Sequence, residues 1–417
     1  HLREWDIQAL AAGKKSVFDR SFIEMNTVGF DAMMEEIDRT TWSDIHAHTG
    51  LSPEHLESLA KMYLDAKTAI FCWGMGITQH RHGTANVHML ANLMLARGHI
   101  GRPGAGLAPI RGHSNVQGDR TMGINERPSP KLLDSLDRVF GIKSPREHGF
   151  GVVDTIKAMY EGDVKVFIGL GGNFAVATPD TPYTQEGLRR CDLTVQIATK
   201  LNRSHLVCGK EALLLPCLGR TEIDMQQHGP QAVSVEDSMS NVHLSAGRNE
   251  PASKNLLSEP DIVARMAAAV LPDSDIRWKW YVESYDRIRD SIEEVFDEFH
   301  DFNARVYQPG GFHLEHPANQ HVWNTPAGKA QFLITPLAEV YADKENKYAE
   351  QYTGAKVYTL MTTRSHDQYN TTLYGLDDRY RGVFGQRRVL FMNADDIVEA
   401  GFMVDQWVDI ESIYSDG

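Results

Sequence analysis

Residues 69–76 read Ala-Ile-Phe-Cys-Trp-Gly-Met-Gly, and residues 164–173 read Val-Lys-Val-Phe-Ile-Gly-Leu-Gly-Gly-Asn. Each is a short apolar run that stops on glycines, the pattern of a parallel strand covered on both faces and ending in a tight turn. Working outward from the first, residues 52–66 have helical punctuation. Ser52 fits the N-cap, Pro53 the first helical position, and Glu54 the positive end of the helix dipole. Leu56, Leu59, Ala60 and Tyr63 then fall on one predicted buried stripe. On the other side the spacing predicts a helix over 84–97, with Val87, Leu90 and Met94 inward and Gly98 as its stop. The second run has its own leading helix, marked by Ile156, Met159 and Tyr160. Two more short apolar runs follow, Leu193 to Ala198 and Ala212 to Leu215. This alternation is α/β grammar with open parallel sheets.

The chain has 417 residues, too many for one ordinary domain. Its formal net charge of −14 argues against a nucleic-acid backbone or an acidic membrane surface as partner. It does not argue against a buried cationic pocket for a small anion. No apolar stretch reaches the roughly 18 residues that a membrane span needs. Cys72, Cys191, Cys208 and Cys217 form no C-x-x-C pair, so they read as buried small hydrophobes rather than as disulfides, a zinc site or an iron–sulfur site. The first ten residues carry no export-signal pattern, which together with the acidity points to the cytoplasm. Both ends read as cut, so a fragment is expected.

Further along, residues 225–260 turn polar and read as a long surface excursion. Residues 261–272 and 277–300 read as helices, the second keeping Tyr281, Tyr285, Ile288, Ile292, Val295, Phe296 and Phe299 in helical spacing. Beyond Gln331 the pattern turns to β, in QFLITPL, VYTLMTT, RRVLFMN and QWVDIES. A change of domain is expected near 350.

The chemistry starts at the two glycine turns. At the end of a parallel strand, glycine lets backbone N–H groups crowd together, and phosphate oxygens are their natural occupants. One such turn means little, because α/β proteins use glycine in tight turns anyway. Two of them, Gly74-Met75-Gly76 and Gly171-Gly172-Asn173, suggest a large nucleotide-bearing cofactor or a pair. Neither continues as G-x-G-x-x-G, so a nicotinamide cofactor is disfavoured. Residues 98–118 are rich in glycine and proline and read as a shaped loop without regular structure. Within it, Arg111 has the planar fork that faces a carboxylate or phosphate bidentately, unless it is simply an arginine on a surface turn. His80, His82, His88, His99 and His113 match no zinc spacing.

The run WGMGITQHRHGTANVHMLANLMLARGHIGRPGAGLAPIRGHSNVQGDRTMG, residues 73–123, strongly resembles the bis-molybdopterin-guanine-dinucleotide oxidoreductases, in particular the formate-dehydrogenase-like alpha subunits. VKVFIGLGGNFAVATPD, VQIATKLNRSHLV and EALLLPCLGRTE match further. TTRSHDQYNTTLYGLDDRYRGV and RRVLFMNADDI look like the opening of the family's C-terminal barrel domain. The resemblance covers about 50–417.

What it implies is two Rossmann-like open parallel-sheet domains, both incomplete, followed by the start of a β-barrel domain. The expected boundaries are 1–113 for the first α/β domain, 114–260 for the second, 261–350 for a helical connection and 351–417 for the barrel. Met75 and Gln79 match the turn that lies against a pterin. Arg111 matches the arginine that orients an anionic substrate beside molybdenum, and His113 stands where glutamine is usual. Gly171, Gly172 and Asn173 match the turn under one guanosine diphosphate arm, the Asn173 position often being Asp. Gln196 and Thr199 follow on the next strand edge. Arg364, Ser365, Gln368, Asn370 and Thr371 match the barrel-domain loop at the cofactor, with Asn393 nearby. Ser365 departs from the Glu of formate dehydrogenases, so formate itself is not implied.

The implied cofactors are molybdenum bis(molybdopterin guanine dinucleotide) and a [4Fe–4S] cluster in the full-length protein, with none expected in this chain alone. The metal ligand and cluster cysteines are expected upstream. The implied partners are a small anionic substrate and an electron-transfer protein. The rival reading is a non-catalytic relative that keeps the fold as scaffold or electron relay. A plain nucleotide-binding regulator would need a fingerprint that is absent.

Overall fold

The computed structural model describes residues 1–79, 82–337, 358, 360–361, 363–366, 368–369 and 373–411. They divide into two compact units. One is drawn from 1–148, 220–249 and 264–343, the other from 149–219, 250–263 and 344–417. The architecture is mixed α/β with several parallel pairings, and among the described residues no sheet closes into a barrel.

In the first unit, strand Ile70–Trp73 pairs in parallel with Gly106–Pro109, Ile70 opposite Gly106 and Trp73 opposite Pro109. The helix Pro53–Asp65 starts with Pro53 in its first turn, and Gly83–Ala96 is followed by Gly98 at φ +58°. One core gathers Phe18, Phe22, Phe30, Met33, Met34, Leu95 and Phe332. Phe30 meets Phe18 and Phe332 edge-on, with ring centroids 5.4 Å apart in both pairs. A second core joins Val242, Phe299, Phe302, Val306 and Leu314, with Met122 and Phe312 packed against it.

The second unit holds a three-stranded parallel sheet in the order Val166–Leu170, Leu193–Ala198, Glu211–Pro216. Helices Val152–Glu161 and Thr181–Arg190 cross closely at Gly187, where an added Cβ would sit 3.3 Å from Ile156 O and Met159 Cβ. Met159, Leu188 and Cys191 are fully buried there.

Several expectations need correction. The strands at 70–73 and 166–170 are not covered on both faces. Ile70, Val166, Ile168 and Leu170 are each about half exposed, and Cys72 is exposed rather than buried. Apolar composition reports what a strand tolerates, whereas coverage needs a packed layer, and in this three-stranded sheet the central strand is the buried one, from Thr194 to Ile197. The stripe on Pro53–Asp65 is likewise buried only at Tyr63, with Leu59 62% exposed.

The loop 98–118 does contain regular structure, the strand Gly106–Pro109 and a helix from Val116. Pro109 is tolerated because the pairing takes its N–H donors from Gly106 and Ile110, which leaves the nitrogen of residue 109 on the open edge of the strand. Residues 277–300 form separate pieces, Trp278–Glu283, Asp286–Val295 and Asp297–Phe299, not one helix. Within the polar stretch, residues 224–245 are not an excursion but two antiparallel hairpins, Asp224–Gln226 with Gly229–Gln231 and Val233–Glu236 with Asn241–Ser245. Residues 387–393 and 406–411 carry no strand, because a ladder needs an edge and no described residue offers them one. Among the described residues no helix is long and apolar enough to cross a membrane, and no group of three or more His, Cys, Asp or Glu is placed to hold a metal ion.

Candidate functional site

In the first unit, Gly74 precedes the short helix Met75–Thr78 and follows strand Ile70–Trp73 directly. Among the described residues the N–H groups of Gly74, Met75 and Gly76 make no hydrogen bond, and a Cβ built on either glycine would meet nothing within 4 Å. Gln79 turns back onto this turn, its Nε2 donating to Met75 Sδ at 3.4 Å.

Arg111 lies in the segment between strand Gly106–Pro109 and helix Val116–Thr121. Its backbone N–H donates to Ser238 Oγ at 2.9 Å, and its Nη2 donates to Gln117 Oε1 at 3.1 Å. The side chain is exposed, and no described carboxylate pairs with it. His113 is exposed two residues on, and Val116 N–H reaches its carbonyl at 3.5 Å.

In the second unit, Gly171 and Gly172 have φ of +71° and +75°, with open space around both positions. Two successive left-handed residues turn the chain sharply at the strand end, which side chains other than glycine resist. Gly171 N–H is committed to Ile197 O at 2.8 Å, whereas Gly172 N–H makes no hydrogen bond among the described residues. Asn202, which the sequence reading did not single out, closes the turn by donating from Nδ2 to Gly172 O at 2.6 Å. Asn173 and Ser204 are buried together behind it.

Gln196, 4% exposed on the central strand, lies over Gly169, where an added Cβ would sit 2.5 Å from its Oε1. Its Nε2 is buried with no hydrogen-bond partner among the described residues. Thr199 is exposed just past the strand end.

Of the 364–371 loop, Arg364 is exposed, and Asn370 and Thr371 lie outside the described residues. Ser365 Oγ donates to Gln368 Oε1 at 2.9 Å, and Arg387 Nη2 donates to both groups, at 2.9 Å to Ser365 Oγ and 2.7 Å to Gln368 Oε1. Arg387 is a second contributor that composition did not reveal. Asp378 braces the same loop, accepting from His366 N–H at 3.1 Å and from Arg381 at 2.8 Å. Burial pushes the Asp378 carboxyl up, but those hydrogen bonds prevail and hold it down at about 2. Asn393 serves as a helix cap, its Oδ1 accepting from Asp395 N–H at 2.8 Å.

Comparison with known proteins places this geometry. The family model for molybdopterin oxidoreductases matches residues 21–205, which include both glycine turns, Arg111 and Gln196. Protein YdeP of Escherichia coli K12 is 49% identical over 393 residues, 94% of this chain and 51% of that protein. The chain belongs to the molybdopterin oxidoreductase family. An uncharacterized oxidoreductase of Mycobacterium tuberculosis is 48% identical over 404 residues, 96% of this chain and 50% of that protein. Formate dehydrogenase H of Escherichia coli K12 is 29% identical over 161 residues, 36% of this chain and 22% of that enzyme. The chain thus spans about half the length of the curated relatives it matches along most of its own.

The residues present fit the nucleotide arms of the family's cofactor. The Gln196 amide, buried without a partner beside Gly169, and the bare Gly172 N–H, with open space around Gly171 and Gly172, are unsatisfied polar groups of the kind that a phosphate-bearing nucleotide would satisfy. For this molybdopterin-family chain, the unpartnered Gln196 amide is the sharpest of these features.

Proposed function

We propose that this chain forms part of the bis-molybdopterin-guanine-dinucleotide cleft of an oxidoreductase acting on a small anion of formate-like size and charge. The observation that carries the reading is the Gln196 Nε2, buried and unpartnered beside the Gly169–Gly172 cradle. In this proposal the two parallel sheets are Rossmann-like, and residues from 351 onward open a β-barrel domain. The molybdenum ligand and a [4Fe–4S] cluster belong to the part of the protein this chain does not cover. An electron-transfer protein would complete the reaction.

Gly171, Gly172, Asn173, Gln196 and Thr199 would hold one guanosine diphosphate arm. Gly74, Met75, Gly76 and Gln79 would lie against a pterin. Arg364, Ser365, Gln368, Asn370, Thr371 and Asn393 would contact the cofactor from the C-terminal side. When bound, the molybdenum centre supplies two-electron redox chemistry.

Arg111 would hold the anion. One Nη is already shared with Gln117, which fixes the plane of the fork and leaves further N–H groups for a carboxylate. A charge-assisted hydrogen bond of this kind contributes about 1.5–3 kcal/mol. His113 would set the polarity beside it.

The test uses the full-length protein, with molybdenum and guanine nucleotide content measured first and formate and similarly small carboxylates as probes. We expect stoichiometric molybdenum. Arg111→Lys should retain metal and melting temperature but lose about 10- to 100-fold in kcat/KM, as removal of a bond of that strength requires. Protein without molybdenum, or wild-type turnover in Arg111→Lys, would overturn the reading.

A further inference from the structure

Residues 110–115 have neither strand nor helix. A segment of this kind is ordinarily mobile, whereas orienting a small anion needs a guanidinium held within fractions of an ångström. What the sequence leaves loose, the first unit ties down at three points, all on one hairpin. Arg111 N–H donates to Ser238 Oγ in the hairpin turn at 2.9 Å. Glu236 N–H donates to Asn115 Oδ1 at 3.0 Å. Arg220 bridges the two pieces, donating from Nη1 to Ser114 Oγ and from Nη2 to Ser245 Oγ, the latter at 3.3 Å. Among the described residues no carboxylate pairs with Arg220, so its directed contacts are these two hydroxyls.

The hairpin is a firm base. Val233 to Glu236 pair with Ser245 to Val242 in antiparallel register, and Asn241 and Val242 pair in turn with His313 and Phe312. Val235 and Val242 are 3% and 2% exposed, and Val242 packs against Phe299 and Phe302. Gly311 permits the tight approach, because a Cβ there would sit 1.9 Å from Val242 O. Met122, at the end of helix Val116–Thr121, packs against the same core and anchors the far side of the loop.

We propose that Arg220 and Ser238 are positioning residues that lock the Arg111 loop onto the 233–245 hairpin. The proposal rests on the reading of Arg111 as the anion contact. Neither residue touches the anion. Ser238 fixes the Arg111 backbone, and Arg220 holds Ser114 at a constant distance from the hairpin strand.

The experiment takes full-length Arg220→Ala, Arg220→Lys and Ser238→Ala beside the wild type. It reads hydrogen–deuterium exchange of the peptide over 110–117 and the formate KM and kcat. We expect at least 10-fold faster exchange of that peptide in Arg220→Ala and Ser238→Ala, with peptides over 27–34 unchanged. KM should rise 5-fold or more with kcat within 2-fold, and Arg220→Lys should recover part of both effects. Unchanged exchange over 110–117 in Arg220→Ala and Ser238→Ala overturns the proposal. So does faster exchange with wild-type KM. A wild-type enzyme inert toward formate and the other small carboxylates counts against the Arg111 reading alone, and the exchange rates still decide whether these residues hold the loop.

Discussion

Asn173 Oδ1 accepts two hydrogen bonds from Ser204, one from its backbone N–H at 3.3 Å and one from its hydroxyl at 3.0 Å. Ser204 Oγ in turn accepts from Ala175 N–H at 2.9 Å. The carboxamide thus terminates a buried chain that runs from the helix after the glycine turn, through Ser204, and back to the turn itself. Ser204 is 1% exposed, so water does not replace a lost partner cheaply.

Asn173→Ala should therefore lower stability by about 1–3 kcal/mol, the cost of stranding buried polar groups, and should reduce guanine nucleotide retained on purification. Asn173→Asp preserves the acceptor and should be tolerated on both counts. Thermal melts of the three proteins check this. Equal melting temperatures for wild type and Asn173→Ala would show that the Ser204 contact holds nothing together.

Gln196 presents the opposite situation, a buried amide held without a partner. An unsatisfied buried donor costs about 1–3 kcal/mol, so the cofactor-free protein should gain from its removal. Gln196→Met keeps the length and removes the N–H2 group. In protein expressed without molybdate it should melt higher than wild type, by on the order of 1 kcal/mol in stability, while nucleotide retained in molybdate-supplied cells should fall. A Met variant that melts lower than wild type in the cofactor-free state would sink the idea that this amide waits for a ligand.

The parts of this site legible in the sequence were those dictated locally. Glycines after apolar runs mark turns with left-handed backbone, and Gly171 and Gly172 adopt it. Pro53 and Gly98 bracket helices for the same local reason. The exposure of Ile70, Val166, Ile168 and Leu170 was not legible, because a strand's composition carries no record of whether a layer covers it. The 233–245 hairpin was missed although its signal was present. Val233 and Val235 alternate with Ser234 and Glu236, but the run is short and sits among turn residues whose polarity suggested a loop. Helical spacing persisted across the break at Ser284 because apolar residues recur on both sides of it, Val282, Tyr285 and Ile288 packing in one cluster and Ile292, Phe296 and Phe299 in another, so spacing alone did not reveal the interruption. Gln196 was legible as a candidate, whereas its missing partner is a property of packing alone.

His99 carries a pH dependence whose sign is fixed by its surroundings. It is fully buried, its Nδ1 lies 3.5 Å from Tyr63 Oη, and its Nε2 has no partner among the described residues. Burial pushes its pKa down, Arg102 and Arg97 push it further the same way, and Asp19 opposes them. A histidine whose folded pKa lies below the unfolded value of about 6.5 is protonated first in the unfolded chain. Stability contributed by the neutral ring is therefore complete above that value and declines as pH falls below it, until the folded pKa is passed. One such group contributes a slope of at most about 1.4 kcal/mol per pH unit. Melting temperatures at pH 7.5 and 5.5 should thus fall more steeply in wild type than in His99→Phe, each protein referred to its own value at pH 7.5. Identical slopes in the two proteins would mean that the folded and unfolded states bind the His99 proton equally.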